Sequence, residues 1–292
     1  MIKLTLPTMD FPFVGQLFSE NEMPASRKAT KSTALVPVGA ATDDRIVAAL
    51  RSVSAAARIG GSGGTIEQDQ GTILISNRAY VTASGLTIDA QEIFYRSDDE
   101  TSPARRLGEA DKVAWLDAET QLECIMMRAG AGGFLGGYVG VPPTHPLYGF
   151  TAGAVPTDID VHGGITYGKA CQHGPSASRR LGAEARRICH PPGRFQTPEA
   201  TVYATDYRVH EDAWWLGFTC DKVYDVVPND SDASKRFSGS EIGATYRDDD
   251  YVCREIEHLA RQLKAIADGA PMPTRRGAPS PPPLGLDVSK GA

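Results

Sequence analysis

The stretch from Asp248 to Gly269 constrains this chain more than any other. Val252, Ile256, Leu259, Leu263 and Ile266 recur at helical spacing, Asp248 to Asp250 suit a positive N-terminal end, and Gly269 stops the run. A helix with one apolar stripe must lay that stripe on an apolar platform. Residues 72–76, 78–83 and 86–95 have strand character, with Ser84-Gly85 as a turn. Residues 112–117 and 121–128 form a predicted hairpin around Ala118-Glu119-Thr120, and Gly136 to Val141 and 213–220 supply further strands. The expected fold is therefore α+β, a largely antiparallel sheet core with a C-terminal amphipathic helix and a smaller N-terminal subdomain.

That subdomain is expected to span residues 1–110. It starts with a strand in which Ile2, Leu4 and Leu6 alternate with polar residues, and it includes a helix over 43–59 capped by Thr42 and ended by Gly60. The polar run 97–110 marks the boundary with a core domain at 111–267. Residues 176–188 suggest a short basic helix. Six prolines in 271–283 leave nothing to bury, so 268–292 is expected to be a disordered tail.

Composition narrows the function classes. Hydrophobic residues make up 41% of the 292, enough for a sizeable core, and the net charge of -6 argues against a protein that coats nucleic acid. The opening MIKLTLP has no apolar h-region, and no run approaches the roughly 20 apolar residues that cross a bilayer. Cys124, Cys171, Cys189, Cys220 and Cys253 are odd in number and lack a C-x-x-C pair, so reduced thiols in a cytosol are expected rather than a disulfide scaffold.

Chemistry-bearing residues concentrate in a few places. On an extended chain Asp158, Asp160 and His162 project from one face, where they suit a divalent metal or a base with its orienting acid; the wet face of a hairpin turning at Gly163-Gly164 is the plain alternative. Cys171, His173, Cys189 and His190 are four zinc-capable groups, although their spacing matches no standard finger. Cys220 ends the apolar run 213–220, either as a nucleophile helped by His162 or His145 or as a small buried hydrophobe. Arg179, Arg180, Arg186, Arg187 and Arg194 make a basic patch suited to phosphate or to a solvated helix face. Trp214-Trp215 offers a stacking surface, with at least one ring expected in the core.

The segments GGYVGVPPTHPLYG (136–149), DIDVHGGITY (158–167), WWLGFTCD (214–221) and YRDDDYV (246–252) together resemble a family of uncharacterised bacteriophage and prophage proteins, over about 113–267. The resemblance implies a virus-encoded protein in a bacterial host cytoplasm and supplies no mechanism. Family members often carry an acid before the cysteine of the third motif and a histidine shortly after it. Here Thr219 and Val223-Tyr224 stand at those places.

The leading functional expectation is an accessory protein acting on host metabolism or defence through a polar pocket for a small anionic or nucleotide-like ligand. Asp158, Asp160, His162 and His145 would line it, with Arg179, Arg180 and Trp215 contributing to binding. One rival is a hydrolase, metal-assisted through Asp158, Asp160 and His162 or thiol-dependent through Cys220. Another is a protein-binding inhibitor of a host factor. The sequence names no cofactor.

Overall fold

The computed structural model describes residues 43–96, 108–130, 132–172, 180–191, 213–228, 245–277 and 280–281. The expected strand at 2–6, the Thr42 cap, His173, Arg179, Arg194 and most of 97–110 lie outside these residues.

The elements run α1 (Asp44–Leu50), α2 (Val53–Ala56), β1 (Ile59–Gly60), β2 (Thr65–Asp69), β3 (Thr72–Val81), β4 (Thr87–Tyr95), β5 (Lys112–Leu116), β6 (Glu123–Arg128) and β7 (Leu135–Val141). A 3₁₀ turn (Ala152–Ala154), β8 (Tyr167–Ala170), α3 (Leu181–Glu184), β9 (Trp214–Thr219) and α4 (Asp249–Asp268) follow. The nine described strands form one sheet in the order β1-β3-β4-β5-β6-β7-β9-β8, with β2 also on β3 and every pairing antiparallel. The molecule is mostly antiparallel sheet with few helices, one of them C-terminal, and no described helix is long and apolar enough to cross a membrane.

The expected hairpin at 112–128 is present as β5 and β6, and the apolar runs at 136–141 and 213–220 are β7 and β9. Three expectations need correction. The two short strands at 72–76 and 78–83 are one strand, β3, with Asn77 in the left-handed region inside it. The helix over 43–59 is broken, because Arg51 turns left-handed (φ 52°) and Ser52 opens a new helix by accepting from Ala55 N–H at 3.3 Å. The boundary expected at residue 110 is bridged among the described residues, since β4 pairs directly with β5 in one sheet.

Helix α4 is the predicted one. Asp248 caps it by accepting from Tyr251 N–H at 2.9 Å, and Gly269 closes it at φ 63°. Its N-terminus is tied to the sheet through buried Asp249, which accepts from the Tyr80 hydroxyl at 2.7 Å and pairs with Arg58 at 3.3 Å. Val252, Ile256, Leu259 and Leu263 are fully buried in a cluster with Met126, Val139, Leu216 and Phe218. Close approach of helix and sheet depends on Gly137 in β7, where a β-carbon would collide with the Ile256 side chain and the Phe218 ring. Gly137→Val is therefore expected to cost about 1–3 kcal/mol by overpacking, measurable by urea denaturation.

The opposite face of the sheet is covered by α3, whose Leu181 and neighbouring Ala185 pack on Leu74 and Phe94. Buried Lys112 fastens this cover by donating from Nζ to the carbonyls of Glu184 (2.9 Å) and Arg187 (2.8 Å). Cys171 and Cys189 are joined as a disulfide, with Cα atoms 4.8 Å apart. This corrects the expectation of reduced thiols: the cysteine count fails because the partners lie 18 residues apart and meet only once β8 and the α3 segment fold together. It also removes both cysteines from any zinc cluster.

Candidate functional site

Beside its apolar stripe, α4 carries a polar one. Tyr251, Glu255, His258 and Gln262 are spaced four, three and four apart, which places them on one flank of the helix. The loop 158–164 lies against that flank. Ile159 and Val161 are buried in the core, and the Gln262 carboxamide grips the backbone between them, accepting from Asp160 N–H (2.8 Å) and donating to Asp160 C=O (2.8 Å). The segment is a loop and no strand, so the strand-face argument does not apply. The helix flank, not the alternation, positions Asp160 and His162, each against its own partners.

His162 is fully buried at the centre of a hydrogen-bonded hub. Its Nε2 lies 2.7 Å from Asp225 Oδ2, its Nδ1 lies 2.8 Å from the Tyr251 hydroxyl, and its backbone N–H donates to Glu255 Oε2 at 3.0 Å. An ionised carboxylate only accepts, so the Asp225 contact calls for a ring proton on Nε2. Asp225 also accepts from Arg247 Nε (2.9 Å) and Lys222 N–H (3.0 Å). Rings of Tyr224, Tyr251 and Phe218 surround the imidazole, and the Arg247 guanidinium lies 4.7 Å from the Tyr251 ring centre. Burial, reinforced by Glu255, raises the Tyr251 phenol above its ordinary range, so it keeps its proton.

Glu255 links this hub to a second, more open cluster. The Arg275 guanidinium sits between Asp160 and Glu255, donating from Nε to Asp160 Oδ2 (2.6 Å) and from Nη2 to Asp160 C=O (3.2 Å). Its Nη1 and Nη2 donate to the two Glu255 oxygens, and Ser280 Oγ donates to Glu255 Oε2 at 3.0 Å. His258 stands behind, with Nε2 3.6 Å from Asp160 Oδ2, and its buried Nδ1 meets no hydrogen-bond partner among the described residues. Burial and then the Arg275 charge hold the His258 imidazole below its ordinary range. Here the expectation of a tail with nothing to bury needs correction. The Arg275 side chain is 13% exposed and Ser280 is half-buried; residues 282–292 lie outside the described part.

The Arg275–Asp160 pair has an acid dependence. Burial raises the Asp160 carboxyl, but hydrogen bonds and charge from Arg275 outweigh it and leave the group below its ordinary value of 3.8. A depressed carboxyl contributes stability that is complete above the unfolded value and lost as pH falls through the folded one. Docking of the tail should thus weaken as pH falls below 3.8, seen as loss of the distinct Arg275 Nε–H resonance; a resonance unchanged at pH 2 would contradict the pairing.

The remaining predicted site residues disperse. Asp158 is exposed and makes none of these contacts. His145 is a staple, accepting from Leu147 N–H at Nδ1 (3.0 Å) and meeting Leu263 C=O at Nε2 (2.9 Å), so it lines no pocket. Trp215 is fully buried on the opposite sheet face, in a cluster with the disulfide, and presents no stacking surface. Arg180 is exposed at the start of α3, and Arg187 is neutralised by Glu184 at 3.0 Å. Cys220 is buried, and burial with the nearby Asp225 charge pushes its thiol well above the ordinary range, which disfavours a thiolate nucleophile. Among the described residues no three His, Cys, Asp or Glu side chains are placed to hold a metal, so Asp158, Asp160 and His162 are not a metal triad.

The sequence reading missed Tyr251, Asp225, Arg247, Glu255, His258, Gln262 and Arg275. The spacing Tyr251, Glu255, His258, Gln262 was the legible signal for four of them. Asp225, Arg247 and Arg275 arrive from separate loops and leave no local pattern. No protein-family model, no curated protein and no solved structure matches this chain.

Proposed function

We propose that this protein works by binding rather than by catalysis, and that its site is the acidic recess of Asp160 and Glu255, which takes a guanidinium group. The observation that supports this most is the seating of Arg275: one guanidinium bonds to two carboxylates from different elements and to the Asp160 carbonyl. Guanidinium forks are recognised by such paired acceptors, whereas an ammonium offers only a point charge. The buried His162–Asp225 hub supports the recess from behind, because His162 N–H and Arg275 share Glu255. The reading reverses the ligand charge expected from the arginine patch. It retains the accessory role that the phage resemblance implies and an α+β description of the chain. Host cytoplasm is the compartment that resemblance implies, while a formed Cys171–Cys189 bond belongs to an oxidising one.

The test is a titration of Arg275→Ala protein with Nα-acetyl-arginine amide, followed by NMR. Saturable shifts at Asp160, Glu255 and His258 are expected, weaker with the lysine analogue and abolished by adding Glu255→Gln. An Arg275→Ala protein that is folded and shows no saturable shift at these residues would refute the reading.

A further inference from the structure

The way the tail is held suggests what the recess takes. Residues 270–277 leave α4 in neither helix nor strand, and Pro271, Met272, Thr274, Arg276 and Gly277 are exposed. Contact with the body runs through polar groups: the Arg275 guanidinium, the Ser280 hydroxyl on Glu255 (3.0 Å), and the Pro281 carbonyl, which accepts from Gly163 N–H at 3.3 Å. The hydroxyl also meets the guanidinium directly. These are the contacts by which a peptide segment is recognised: one charged anchor, one hydroxyl and one backbone bond. Gly163 has the positive φ of 63° that turns its N–H toward the strap, and a β-carbon there would run into the Lys222 side chain. The strap buries no apolar residue of 270–277 and is held by polar contacts, of which the pair with half-exposed Asp160 is open to solvent and the pair with Glu255 is not. Tethering gives it the advantage of a high effective concentration over any free competitor.

We propose that the tail carries an internal copy of the ligand in Arg275, Ser280 and Pro281: the recess takes an arginine-bearing peptide segment of a partner protein, and the tail competes with that segment for it. This rests on the recess reading given above. Binding in the intact chain is then partly self-blocked, and whatever draws the tail away frees the Asp160 and Glu255 carboxylates together.

The experiment uses the full-length chain and a fluorescent peptide of residues 271–281, PMPTRRGAPSP, read by anisotropy against wild type, Arg275→Ala, and Arg275→Ala with Glu255→Gln. Arg275→Ala is expected to bind the peptide at least tenfold more tightly than wild type does. The double variant should lose that binding, and a peptide with alanine in place of Arg275 should fail on all three. Equal affinity for wild type and Arg275→Ala would overturn the competition. Binding of Nα-acetyl-arginine amide without binding of the peptide would overturn the peptide inference and leave the recess standing. Binding of neither by a folded variant would remove both. Arg275→Gln, which keeps most of the side-chain bulk, repeats the comparison if the alanine variant melts early, and the same outcomes apply to it.

Discussion

Asp225→Ala is expected to lower the unfolding free energy by about 3–5 kcal/mol, the largest effect of any single substitution in the polar network. The carboxylate is fully buried and accepts from His162, Arg247 and the Lys222 backbone. Removing it leaves an imidazole N–H, a guanidinium and a backbone N–H without their shared acceptor, and each unmatched buried donor carries its own desolvation cost. Combining it with His162→Ala should cost less than the two single losses added, because both act through one hydrogen bond. Urea denaturation of the four proteins in the cycle measures this. Strict additivity would mean that the His162–Asp225 contact at 2.7 Å does not organise the loops around it.

Loss of the disulfide should have the next largest effect. Cross-linking residues 18 apart restricts the unfolded chain by about 3 kcal/mol in the loop-closure account, so Cys171→Ser with Cys189→Ser should lose about that much. The α3 cover depends on this bond, on Lys112 and on Gln172, which accepts from Ile188 N–H at 3.1 Å. A non-reducing peptide map of protein purified under oxidising conditions should show Cys171 linked to Cys189, with Cys124, Cys220 and Cys253 as free buried thiols. Five free thiols in the folded protein would contradict the pairing and would restore the cytosolic expectation.

The sequence carried the parts of the fold that local pattern marks. Apolar runs and the turn at Ala118-Glu119-Thr120 marked β5, β6 and β9, and the stripe of Val252, Ile256, Leu259 and Leu263 marked α4 with its caps. Where one residue departs from the local pattern the reading failed, as at Arg51 and Asn77, both left-handed without being glycine. The site was legible only in part. Asp160 and His162 stood out for their chemistry, yet the argument from alternating strand faces was wrong because Ile159 and Val161 anchor a loop there. Their true partners come from α4 and from residues 225, 247 and 275, at sequence distances where no short motif can register them. His145 misled for the opposite reason. A histidine among prolines suggests a site, but its two nitrogens are consumed by Leu147 N–H and Leu263 C=O in holding the loop to the helix.

The recess idea is tested most directly by the titration of His258, followed by NMR in wild type and in Arg275→Ala. The Arg275 charge now presses the imidazole below its ordinary 6.5, with burial as the larger cause. Removing that charge should raise the midpoint, and saturating Nα-acetyl-arginine amide should bring it back down as a guanidinium returns to the same place. A His258 midpoint that ignores both the substitution and the added arginine would mean that Asp160 and Glu255 do not form a guanidinium site.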